Sequence, residues 1–243
     1  MSEDRWSHRD AQLYDQLAAD MFDPDVVDPV VDVLAQLAHG GTALEFGIGT
    51  GRIALPLAAR GVRVHGIDAS LAMVEKLRAK PGAEDIPVTI GDFATRRVEG
   101  GFSVVYAVWN AITNLTTQDD QLACFQNAAA HLMPGGCLLV EVDVPALQRL
   151  PPGETVRPFA VTDERLGFDE YDVVTQLIVS HHLWNVGTTF ERSSAPYRYV
   201  WPAELDLMAR IAGLTPRERW GGWRREPFTR DSTQHVSIWS KPA

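Results

Sequence analysis

Apolar positions recur along the chain at two spacings, and the switch between them marks the elements. Leu13 and Leu17 lie four apart, and Val26, Val27, Val30, Val31, Leu34 and Leu37 recur at helical spacing, so residues 1–40 read as a helical cover. Asp25 suits the N-cap of the second helix, and His39-Gly40-Gly41 its end. The rhythm then shortens. Residues 42–46, 62–68, 88–90, 102–108 and 137–144 read as strands. Between them lie a helix over 52–60 closed by Gly61, one capped by Ser70 with Met73, Val74 and Leu77 on one side, and one from Thr117 with Leu122, Phe125, Ala129 and Leu132 inward. A continuously apolar run such as 102–108 is what a strand covered on both faces requires. Strands alternating with helices imply a parallel sheet with right-handed crossovers.

The alternation breaks at Pro145. Residues 145–168 carry Pro145, Pro151, Pro152 and Pro158 and no clear periodicity. Residues 173–184 and 188–200 read as long antiparallel strands joined around Asn185-Val186-Gly187. Residues 203–212 return to helix, ended by Gly213, and 215–220 and 235–240 read as closing strands. The expectation is one α/β domain over 1–243, with the helical cover at 1–40 and an antiparallel β insertion at about 150–200.

Charge and composition narrow the function classes. The chain of 243 residues has 32 acidic and 22 basic side chains, a net charge of −10, which argues against nucleic acid, since phosphate binding needs clustered Lys and Arg. No apolar run reaches the length of a membrane span, and the opening residues lack a signal-peptide core, so the expected setting is soluble and cytoplasmic, without a membrane partner. Cys124 and Cys137 are too few for a disulfide scaffold or a thiolate metal site.

The chemistry concentrates in Leu44-Glu45-Phe46-Gly47-Ile48-Gly49-Thr50-Gly51-Arg52, where a strand turns into a helix and glycines let the backbone approach a ligand. A phosphate-binding P-loop would end in Gly-Lys-Ser/Thr, and Gly51-Arg52-Ile53 does not. A dinucleotide fingerprint would place a third glycine at Arg52. The spacing acidic-x-Gly-x-Gly-x-Gly resembles instead the first motif of class I S-adenosylmethionine-dependent methyltransferases. Three further segments agree: Asp68 at the end of the next strand, Gly91-Asp92-Phe93 at the end of the third, and the Leu132-Met133-Pro134-Gly135-Gly136 turn.

The resemblance implies a Rossmann-like, seven-stranded, mostly parallel sheet of order 3-2-1-4-5-7-6, and S-adenosyl-L-methionine as cofactor. Carried over by motif, Gly47, Gly49 and Gly51 would admit the methionine part, with Glu45 and Arg52 at the loop. Asp68 would bind ribose, Ala69 and Met73 would flank adenine, and Asp92 with Phe93 would face its amino group. Val108 and Trp109 would lie near the sulfonium, although Trp109 equally suits a packed core aromatic. The motifs of adenine, protein-arginine and metal-dependent catechol methylation are missing. What remains resembles small-molecule O- and N-methyltransferases with a substrate cover after the fifth strand, monomeric or homodimeric, O-methylation being slightly favoured. A non-catalytic binder of the same cofactor is the alternative, and a nicotinamide dehydrogenase a third reading.

An alcohol acceptor gains from a general base. His182, on the strand side with Gln176, Ser180 and Trp184, is the first choice, and His181, on the opposite side with Val179 and Leu183, the second. Tyr14 in Tyr14-Asp15-Gln16-Leu17 resembles the lid tyrosine of some small-molecule methyltransferases. Trp223 and Arg224, in the loop between the last two strands, lie at the ligand end of the expected sheet.

Overall fold

The computed structural model describes residues 11, 14–16 and 18–243; the pairing of Leu13 with Leu17 lies outside them. Helix α1 (Pro24–Ala38) is capped by Asp23, whose side chain accepts from the Asp25 amide, so the cap lies two residues earlier than expected. Pro24 explains the shift: it occupies the first helical position, where its missing amide costs nothing. His39 closes the helix in the left-handed conformation.

The main sheet contains β1 (Thr42–Phe46), β2 (Arg63–Asp68), β3 (Val88–Ile90), β4 (Phe102–Ala107), β5 (Leu132–Asp143), β10 (Thr215–Trp220) and β11 (Gln234–Ser240). Its spatial order is β3-β2-β1-β4-β5-β11-β10, with β11 antiparallel to both neighbours. This is the Rossmann-like arrangement, with strands 1–5 parallel. Helices α2 (Ala54–Ala59), α3 (Leu71–Arg78), α4 (Gln118–His131) and α5 (Pro202–Ile211) complete the layers. Ser70 and Thr117 cap α3 and α4 as expected, accepting from the Met73 and Asp120 amides. Alternate residues of β4 feed two cores. Val105 and Ala107 join Phe46, Phe93, Phe125 and Trp239 on one face, while Val104 and Tyr106 join Val31, Leu34, Leu57 and Leu77 on the other.

The segment after β5 is a second sheet of four antiparallel strands, β6 (Val156–Val161), β7 (Arg165–Asp172), β8 (Leu177–Val186) and β9 (Thr189–Arg198), paired in chain order. Two of these lie where the sequence showed no periodicity, and the turn before β8 falls at residues 173–176, which were expected to open a strand. β6 is broken by a bulge between Pro158 and Ala160, and one face of β7 carries Asp169 and Tyr171, so neither shows a clean apolar alternation. The second sheet is tied to the first through Arg198. Its guanidinium donates to Gln121, Gln176 and Glu204, the last at 2.7 Å, linking β9 to α4 and α5.

Candidate active site

A cavity of about 400 Å³ opens where the parallel strands end and the second sheet arches over them. This is the crevice where ligands bind in open α/β sheets, and the volume suits a small molecule. Its floor is the loop after β1. The Gly47 and Ile48 amides donate to the Ile67 carbonyl, folding the loop across β2. Asp68 then staples the arrangement, one carboxylate oxygen accepting from the Gly49 amide at 2.7 Å and the other from Ser70 at 2.8 Å. Burial raises the Asp68 carboxyl above its usual range, against those two bonds.

The glycines have different reasons to be glycine. Gly49 has φ +54°, and a Cβ there would meet nothing closer than the Gly47 carbonyl at 4.0 Å, so the space in front of it belongs to the cavity. At Gly51 a Cβ would strike the Leu77 side chain at 2.3 Å, and Gly51 does not line the cavity. Its constraints are helix packing and its own φ of +83°.

Glu45 lies beneath the loop, 3% exposed, accepting from the Tyr106 hydroxyl at 3.0 Å. Burial pushes its carboxyl up to about 8, against that bond and the charge of Arg52. Met73, Phe93, Val108, Trp109, Arg52 and Tyr14 also line the cavity, together with Gly47, Glu45 and Asp68. Phe93 stacks on Phe46 with centroids 5.7 Å apart. Ala69 is buried beside the cavity without lining it, and Asp92 turns to accept from the Ala94 amide.

Trp109 and Asn110 both adopt positive φ, 49° and 60°, a conformation that costs about 1–3 kcal/mol for such residues and needs support. The support is specific. The Trp109 amide donates to Glu141 at 2.8 Å, and the other Glu141 oxygen accepts from the Trp223 indole at 2.7 Å. The Asn110 side chain donates to Asp143 at 3.0 Å and accepts from its amide at 2.7 Å. Trp223 therefore braces the site from behind instead of bordering the cavity. The Trp109 ring carries the Arg52 guanidinium at 4.8 Å on its face, and Tyr14 sits against it at 5.7 Å. Tyr14 is held over the site by its neighbours: Thr50 donates to Asp15 at 2.6 Å, Lys80 pairs with Asp15 at 2.6 Å, and Arg52 donates to the Met21 carbonyl. Burial raises the Tyr14 hydroxyl well above its usual range, so it stays protonated.

The second sheet supplies the opposite wall. Its inner face presents Asp169, Tyr171, Ile178, Ser180 and Tyr197, with Tyr199 just beyond β9. His182 shares the face of Ser180 but lies past the cavity, under Phe159 and beside Arg165 and Trp184. Burial, with help from Arg165, holds its imidazole down at about 4, so it is neutral. His181 points to the other face, with Nδ1 2.8 Å from Ser194 and its ring on Phe168. The histidines and the cavity are thus apart, whereas Asp169, Tyr171 and Tyr197 went unread because inward polar residues look like a solvent face in sequence.

This fold, its glycine loop and its acidic strand ends define a methyltransferase. A family model described as "Methyltransferase domain" matches residues 43–136. The curated "Cypemycin N-terminal methyltransferase" of a Streptomyces species is 30% identical over 244 residues, covering 94% of this chain and 98% of that protein. The chain belongs to the class I S-adenosylmethionine-dependent methyltransferases. Among solved structures, the CcbJ methyltransferase of Streptomyces caelestis superposes with a TM-score of 0.89 at 35% identity over 100% of both chains. The S-adenosylmethionine-bound amino pentose methyltransferase CalS10 of Micromonospora echinaspora shares the fold, with a TM-score of 0.65 at 21% identity over 87% of this chain and 90% of that one. Among the described residues no helix is long and apolar enough to cross a membrane.

Proposed function

We propose that this methyltransferase transfers the methyl group to an amine nitrogen of a small molecule, in the cytoplasm, with the main sheet holding the cofactor and the second sheet covering the acceptor. S-adenosyl-L-methionine, when bound, supplies a methyl carbon activated by its positive sulfur. In this reading the backbone at Gly47 and Gly49, with Glu45, receives the amino-acid end, and Asp68 receives ribose hydroxyls with the lone pairs its two backbone donors leave. Met73 and Phe93 flank adenine, and Val108, Trp109 and Tyr14 enclose the reacting end, excluding water. The open space in front of Gly49, which lines the cavity, supports this assignment, because it leaves room for a ligand against the loop backbone.

The observation that carries nitrogen over oxygen is the lining of the acceptor end: tyrosines and carboxylates, with His181 on the far face of its strand and His182 past the cavity's edge, its Nε2 3.3 Å from Ser180. An alcohol needs a well-matched base, whereas a neutral amine attacks with its own lone pair once aligned. The N-terminal methyltransferase relative at 30% identity points the same way. The test is methyl transfer from isotope-labelled S-adenosyl-L-methionine to a panel of matched amines and alcohols, with the labelled atom located by mass spectrometry. Label on nitrogen is expected; label only on oxygen overturns the proposal.

A further inference from the structure

We infer that Asp143 and Asp169 select the acceptor, gripping its ammonium between the end of β5 and the second sheet, and that one of them takes the proton that must leave nitrogen before it is methylated. This rests on the amine reading above. The two carboxylates come from different elements and reach the same cavity. Burial raises both carboxyls above their usual range, and the charge of Asp169 adds to the rise at Asp143. Asp143 is aimed by its paired bonds with Asn110. Asp169 stands opposite Ser180, which hydrogen-bonds it, and one row over Tyr171, Ile178 and Tyr197 stand side by side across three strands.

Arg157, across the strand pair from Asp169, and His181 behind it offset part of its negative charge, but burial outweighs them. Among the described residues lining the cavity, the one cation is Arg52, and its guanidinium is engaged on the face of Trp109. Two like charges lining one half-dry cleft are costly, and a cation bound between them removes that cost. The aromatic rings of Tyr171, Tyr197 and Tyr199, which line the cavity, offer a second attraction that an ammonium has and a hydroxyl lacks. In the proton step the N–H bond breaks, its electron pair stays on nitrogen as the attacking lone pair, and the proton forms an O–H bond with the carboxylate.

The experiment is calorimetric titration of tyramine, glucosamine and an alanine-headed tripeptide into protein saturated with S-adenosylhomocysteine. Each is paired with its neutral counterpart: tyrosol, glucose and the N-acetylated tripeptide. At least one amine is expected to bind about tenfold or more tighter than its counterpart, and Asp143→Asn and Asp169→Asn are each expected to lose about tenfold in that affinity. S-adenosylhomocysteine affinity should hold in both variants, which also reports that they fold. Equal binding of amines and counterparts, no amine bound at all, or an amine preference untouched in both variants overturns the inference. So does loss of affinity for S-adenosylmethionine with acceptor binding unchanged, which would assign the carboxylates to the cofactor. Failure of the amine reading looks different: label on oxygen in the wild-type product, whatever the variants bind.

Discussion

The two sheets that meet at the cavity are built on different terms. In the main sheet, Val104, Val105 and Tyr106 of β4 are fully buried, and the loop that faces the cavity is made of backbone stapled by Asp68. In the second sheet most of β9 is exposed, residues 189–194 on both faces, and the surface facing the cavity is made of side chains: Asp169, Tyr171, Ile178, Ser180 and Tyr197. A backbone-built surface can be changed only by refolding the loop, and suits a ligand that never varies. A side-chain surface on a thin sheet can be rewritten residue by residue, and suits the partner that defines the enzyme.

The comparison breaks most visibly at Arg198, which is 4% exposed and holds the second sheet to α4 and α5. Arg198→Met leaves Glu204 partly buried without its cation and should cost about 3–5 kcal/mol in chemical denaturation. The damage should fall on the second sheet's side of the cavity, so S-adenosylhomocysteine affinity in the folded variant should change little. Next comes Gly49→Val. A side chain placed in the open space before the loop should weaken S-adenosylhomocysteine by about 100-fold or more, roughly 2.7 kcal/mol, in calorimetry. Unchanged affinity in a folded variant would remove the loop from the site.

Glu45 sharpens the contrast through pH. Its carboxyl moves from an ordinary 4.5 to about 8 in the folded chain, so the native state keeps a proton that the unfolded state releases. Stability should therefore fall as pH rises through that window, with Asp68, Glu141 and Asp143 shifted in the same sense. Urea denaturation at pH 5 and pH 8 should show a smaller loss for Glu45→Gln than for the wild type. The smallest effect is expected at Ser70, where Ser70→Ala removes the cap of α3 and should cost about 1 kcal/mol, leaving the acceptor wall unaffected.

The main sheet was legible because its signals are local. Strands covered on both faces are apolar throughout, Ser70 and Thr117 announce their helices, and the glycine spacing reports a backbone path. The second sheet was half legible for the complementary reason. Its inner face lines a polar cavity, so Asp169 and Ser180 sit where an apolar residue would have completed the alternation, and the bulge at Pro158 interrupts β6. Alternation did place Ser180 and His182 on one face of β8, which is the face toward the cavity. It carried no information on how far along the strand the cavity extends, and His182 lies beyond its edge under Phe159. The partnership of Asp143 with Asp169 joins residues from two sheets and left no local trace.

Hydrogen exchange followed by mass spectrometry, with and without S-adenosylhomocysteine, tests the division between the sheets most directly. Added protection is expected at residues 47–52, 68–73 and 91–94, with β7, β8 and β9 exchanging as before. Protection concentrated in β7–β9, with the loop after β1 unchanged, would contradict it.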